Sequence, residues 1–127
     1  MDTTDNVPVR ARRIGDAAVI YAGDYLNKLS GEQIERECKR QLDAGCRLLV
    51  INFRDTELVN SIGVSVLMGV IDAAEQSTAR LFFSNVNSNT TALFEMLGLT
   101  RHVSLASDEE EALALALPLS SVASSPE

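Results

Sequence analysis

The sequence of 127 residues is poor in the side chains that do chemistry, with one histidine, two cysteines and no tryptophan. A hydrolytic centre needs a nucleophile, a base to activate it and a group to orient the base. With His102 as the lone histidine, on an expected short strand near His102 to Leu105, and with no GxSxG, nothing assembles that set. Neither GxxxxGK(S/T) nor GxGxxG occurs, which removes the common phosphate-cradling loops. Cys38 and Cys46 lack CxxC or metal-ligand spacing. Reduced, half-buried thiols are expected, Cys38 within a helix and Cys46 opening a strand. The expectation is a protein that is not an enzyme and has no metal site and no cofactor of its own.

Positive charge is also scarce. Eleven Lys and Arg stand against 18 Asp and Glu, a formal net charge of −7. Nucleic acid binding needs clustered cations, so it is not expected. The only dense basic group, Arg10, Arg12 and Arg13, reads as a solvated strand edge. No apolar run approaches the roughly 20 residues that span a bilayer, so no membrane partner is expected. The opening "MDTTDNVPVR" lacks the basic start and apolar stretch of a secretory signal, and the expected location is cytoplasmic.

What is present is periodicity. Val7 to Ile14 and Ala17 to Ala22 read as a hairpin turning at Gly15-Asp16. From Leu29 to Ala44 the apolar positions Leu29, Ile34, Cys38 and Leu42 share a helical face, with a Ser30–Gln33 capping box and Gly45 as the stop. "RLLVINF", Arg47 to Phe53, is the continuous apolar run of a strand covered on both faces. Ile62 to Ala74 is a deeply buried helix, Arg80 to Ser84 a strand, and about Asn89 to Leu97 a short helix stopped by Gly98. After the short strand near His102, Ser107 caps a final helix from Asp108 to Leu117, with the carboxylates of "DEEE" in its first turn. The order β-β-α-β-α-β-α-β-α predicts one α/β domain, a mixed and mainly parallel sheet with an N-terminal hairpin and about four helices. It spans 7–117, with 1–6 and 118–127 as flexible tails.

One junction resists a purely structural reading. "LVNSIGV", Leu58 to Val64, sits between the loop "RDTELV" and the buried helix. Asn60 or Ser61 can cap that helix, and Gly63 can allow tight packing. The same geometry can offer a hydroxyl to another macromolecule. A phosphate at a helix start meets free backbone N–H groups and adds about −1.5 to −2 charges. Asp55 and Glu57 already make that segment acidic.

The chain resembles a STAS domain, the fold of sulfate-transporter tails and bacterial anti-sigma factor antagonists. The resemblance is carried by "RLLVINF", "VNSIGVSVL" and "ARLFFSNVNSNTTALFEMLGLTRHVSLASDEEEALALA". In that family an apolar residue precedes Asp-Ser-Ser/Thr-Gly, and the first serine is phosphorylated. The resemblance implies that Ser61 is the acceptor, with Gly63 the motif glycine. Asn60, Ser61, Ile62, Gly63, Thr56 and Glu57 would form the partner surface. It implies an anti-sigma factor that is a GHKL-type serine kinase as partner, a phosphatase for the phosphorylated form, and a monomer or weak dimer. Two residues depart from the pattern: Asn60 replaces the usual Asp, and Ile62 a second Ser or Thr. Asn60 keeps open a second reading, a STAS scaffold or subunit of a larger signalling or transport assembly without a phosphate cycle.

Overall fold

The apolar run at 48–52 fills the centre of a sheet covered on both faces. The computed structural model describes residues 9–115. The expected tails 1–6 and 118–127, the hairpin's start at Val7 and the helix end at Leu117 lie outside them.

Strands β1 (Ala11–Ile14) and β2 (Ala17–Tyr21) form the antiparallel hairpin, with Gly15 supplying the left-handed turn position at φ 57°. β3 (Tyr25–Leu26) leads into α1 (Lys28–Asp43), then β4 (Leu48–Asn52), β5 (Leu58–Val59) and α2 (Ser61–Gln76). β6 (Arg80–Ser84), α3 (Ser88–Met96), a 3-10 turn (Leu99–Arg101) and β7 (Ser104–Ala106) follow. A last helix, α4, covers 109–115 within the described residues.

The main sheet has the order β1-β2-β4-β6-β7, parallel from β2 onward. Each crossover steps the same way along the sheet, so the right-handed rule sends α1, α2 and α3 to one face. Alternation along the strands then makes two cores. Ala18, Ile20, Leu49, Ile51, Leu81 and Phe83 face α1–α3, meeting Ile34, Leu67, Ile71 and Phe94. Ala17, Val19, Leu48, Val50 and Phe82 face the other way, toward Ala112 and Leu113 of α4. Phe53, Phe83 and Phe94 pack edge-on or tilted at the carboxyl end of the sheet, with centroids 5.1–5.6 Å apart.

Several local expectations shift. The "RDTELV" loop ends in a strand: β5 pairs in parallel with β3 to make a second, two-stranded sheet. Two residues are too short to read as a strand from sequence. The α1 capping box is formed by Asn27 and Ser30 rather than Ser30 and Gln33, because the helix starts before Leu29. Asp108, not Ser107, accepts from the amide of Glu111, the third residue of α4, at 2.8 Å. Cys46 precedes β4 instead of opening it, and both thiols are fully buried, not half-buried. His102 falls in the turn after the 3-10 segment, two residues before β7.

Candidate functional site

Two asparagines launch two helices side by side. Asn27 follows β3 and accepts from Ser30 N–H at 2.9 Å; Asn60 follows β5 and accepts from Gly63 N–H at 2.8 Å. Both caps have extended backbone, as an N-cap requires. The pairing of β3 with β5 fixes the two starts relative to each other, and Asn60 N–H donates to Leu26 O at 2.9 Å.

Ser61 is the first residue of the 16-residue α2 and is exposed. The amides of a helix's first turn have no partner within the helix, so a charged group on this oxygen meets N–H dipoles. Asn60 satisfies Gly63 N–H, and the Ser61 carbonyl accepts from Ser65 Oγ at 3.0 Å. Next to Ser61, Ile62 is 55% exposed, and Leu58 on β5 is 63% exposed. Tyr25, cross-strand partner of Leu58, is also exposed, and its hydroxyl accepts from Asn60 Nδ2 at 3.1 Å. The segments around this hydroxyl thus expose three large side chains, Tyr25, Leu58 and Ile62, to water, an arrangement suited to contact with another protein.

The other expected site residues fall into two groups. Glu57 is exposed on the approach to β5, its N–H donating to Asp24 O at 2.8 Å. Thr56 is buried, its hydroxyl donating to Gly23 O at 2.6 Å, which pins the loop to the end of β2. Gly63 is buried too: a Cβ there would lie 2.6 Å from Leu26 O, so what its bare backbone admits is the chain's own 26–27 segment. Sequence reasoning missed Tyr25 and Leu58. Their signal was two apolar residues before each helix-capping Asn, "YLN" and "LVN".

Possible chemical groups elsewhere do not reach Ser61. His102 Nδ1 lies 3.3 Å from Glu75 Oε2 at the far end of α2. The 14 residues from Ser61 to Glu75 put that pair about 21 Å along the helix. Burial pushes the thiols of Cys38 and Cys46 up, away from the reactive thiolate, and Cys46 Sγ donates to Leu48 O at 3.0 Å. Among the described residues no three His, Cys, Asp or Glu side chains are grouped to hold a metal ion. Nor is any described helix long and apolar enough to cross a membrane.

On the opposite face, burial pushes the Glu109 carboxyl up, but hydrogen bonds from Asn52, Arg12 and Tyr21 outweigh it and hold it below the ordinary range. "DEEE" is therefore more than helix-start charge.

Residues 8–112 match the family model described as the STAS domain. Solved structures resemble the chain over most of its length. An RsbS variant from Moorella thermoacetica superposes with a TM-score of 0.78 at 19% identity, covering 89% of this chain and 97% of that one. An anti-sigma factor antagonist from Mycobacterium paratuberculosis gives 0.73 at 15%, covering 91% and 97%. The Bacillus cell fate determinant SpoIIAA in its phosphorylated form gives 0.66 at 21%, covering 84% and 96%. At such identities the likeness is one of fold. No curated protein sequence matches significantly.

Proposed function

The chain belongs to the STAS domain family, and from that premise we propose that it is a phosphorylation-switched binding module, an anti-sigma factor antagonist with Ser61 as its acceptor. The observation that carries the reading is an exposed serine at the first position of a long capped helix, bordered by exposed Tyr25, Leu58 and Ile62. In the unphosphorylated form this surface docks on an anti-sigma factor that is also a GHKL-type serine kinase, freeing the sigma factor. The kinase brings ATP, Mg²⁺ and the base; the antagonist brings only the hydroxyl.

Transfer of the γ-phosphoryl group to Ser61 Oγ leaves ADP and releases the hydroxyl proton to the partner's base. The product adds about −1.5 to −2 charges where the contact held a neutral hydroxyl. Desolvating them against a docked partner is costly, so the complex separates. A hundredfold weaker affinity needs about 2.7 kcal/mol, within reach of one misplaced phosphate. At the first turn of α2 the helix itself tolerates the charge, so the effect falls on the interface rather than on the fold. A phosphatase reverses the step. Working as a free antagonist, the protein acts as a monomer or weak dimer in the cytoplasm.

Asn60 favours one alternative. It caps α2 as well as Asp does but places no carboxylate beside the acceptor, which suits a STAS scaffold that binds through the same surface without a phosphate cycle. Calorimetric titration of the cognate kinase with wild type, Ser61→Ala and Ser61→Asp separates the two. The switch predicts that Ser61→Ala binds as wild type and Ser61→Asp at least tenfold more weakly, to a first approximation of one buried charge. Equal binding by all three rejects the charge mechanism and favours the scaffold.

A further inference from the structure

The segment that carries Ser61 is tied to the far face of the sheet. The register pairs Tyr21 with Asn52 and Asn52 with Ser84, so these three form a polar row on the face covered by α4. Asn52 is buried and uses both ends of its amide. Nδ2 donates to Glu109 Oε1 at 3.0 Å, and Oδ1 accepts from Arg54 N–H at 2.8 Å. Glu109, in the first turn of α4, also accepts from Tyr21 OH at 3.1 Å and pairs with Arg12.

Arg54 opens the connection to Ser61, and that connection is hydrogen-bonded at several points along its length. Thr56 N–H donates to Phe53 O at 3.0 Å and its hydroxyl to Gly23 O. Glu57 and Leu58 N–H both donate to Asp24 O, at 2.8 and 3.1 Å, and Asn60 N–H to Leu26 O. The Glu109–Asn52–Arg54 bonds thus hold the start of the connection, and separate bonds at Thr56, Glu57, Leu58 and Asn60 hold the rest of it up to the residue before Ser61.

We infer that Glu109 and Asn52 are positioning residues through which the docking of α4 controls how Ser61 is presented; this rests on Ser61 being the switch. The described part of α4 is held on the sheet by the small Ala112, the partly buried Leu113 and the Glu109 carboxylate at its start. Asn52 and Glu109 already border an open cleft of about 420 Å³, shared with Arg10, Tyr21, Arg54 and Asp108, so withdrawing the carboxylate leaves the Asn52 amide facing its water. Water entering there competes for the amide, whose rotation weakens the bond that fixes Arg54. Coupling of this kind is reciprocal, so a partner that immobilises 54–60 also favours docked α4.

Amide hydrogen exchange of the full chain, followed by NMR, decides the matter. E109A should accelerate exchange at Arg54, Thr56 and Leu58 about three- to tenfold, the net worth of one hydrogen bond. Arg80 N–H, bonded to Arg47 O at the other end of the sheet, should not change. N52A, which removes the Arg54 acceptor outright, should accelerate exchange at least as much as E109A, and adding E109A to it should add nothing further. R12A, which loosens Glu109 from the exposed side, should give the same pattern at smaller amplitude and decides the question if E109A does not fold. Acceleration confined to α4, with Arg54 to Leu58 as in wild type, overturns the inference. Phosphorylation is scored separately. If the kinase never modifies wild-type Ser61, the switch reading fails while the exchange pattern still decides the coupling. If it does, E109A must change the initial rate roughly threefold or more, by the same bond's worth, and an unchanged rate overturns the inference.

Discussion

Replacing Gly63 by alanine tests the packing that holds the Ser61 segment in place. A Cβ there would stand 2.6 Å from Leu26 O, 2.8 Å from Leu26 C and 2.9 Å from Asn27 N. All three are backbone atoms of the β3–α1 junction, so no rotamer change relieves the clash; α2 must shift bodily. Its path is constrained at Gly31, where a Cβ would lie 3.3 Å from Gly63 O. The same Leu26 carbonyl receives Asn60 N–H, so the shift also strains the start of α2. Overpacking of this kind costs about 1–3 kcal/mol, and alanine's better helix propensity returns up to about 1 kcal/mol. A net loss of about 1–2 kcal/mol lowers Tm by roughly 4–8 °C in a domain of this size. Urea and thermal unfolding of Gly63→Ala measure it. Gly69→Ala is the control: the atoms its Cβ meets first belong to the mobile end of the Glu35 side chain, and little or no loss is expected. A Gly63→Ala protein as stable as wild type, or a Gly69→Ala loss of equal size, refutes the reasoning.

Three further outcomes are expected. Asn60→Ala should lower stability by about 1 kcal/mol through the lost cap, while Asn60→Asp should stay near wild type; urea midpoints check both. Because Glu109 is held below its ordinary pKa in the fold, its contribution is complete above the unfolded value of about 4.3 and fades as pH falls through the lower folded value. The stability gap between wild type and E109Q should therefore be flat from pH 8 to 5 and close in acid; a gap that widens in acid contradicts the assignment. Neither Cys38 nor Cys46 should react with an alkylating reagent in the native protein at pH 8, and both should react in urea, as counted by intact mass.

The fold was legible wherever hydrophobic period and length agreed. "RLLVINF" announced a strand buried on both faces, and all five residues of β4 are buried. The amphipathic pattern from Leu29 located α1 but not its first turn, because Lys28 and Asn27 carry no apolar mark and the cap is set by β3 pairing with β5. That pairing joins segments 33 residues apart through two residues each, below what local periodicity can register. Asn60 and Ser61 were legible as a helix start. That Asn60 caps while Ser61 stays exposed depends on backbone direction at the junction, which only tertiary contacts fix. Glu109 illustrates the limit from another side: an acid beside a helix start is well explained by the helix dipole, so its distant partners Asn52, Tyr21 and Arg12 left no local trace.

The central claim is that Ser61 receives and loses a phosphate. Incubation with the cognate kinase and ATP, followed by peptide mass mapping, tests it most directly. The account predicts one added phosphate, on Ser61, absent from the Ser61→Ala protein and removed by the cognate phosphatase. Phosphate on another residue, or none on Ser61 under conditions where the kinase is active, contradicts it.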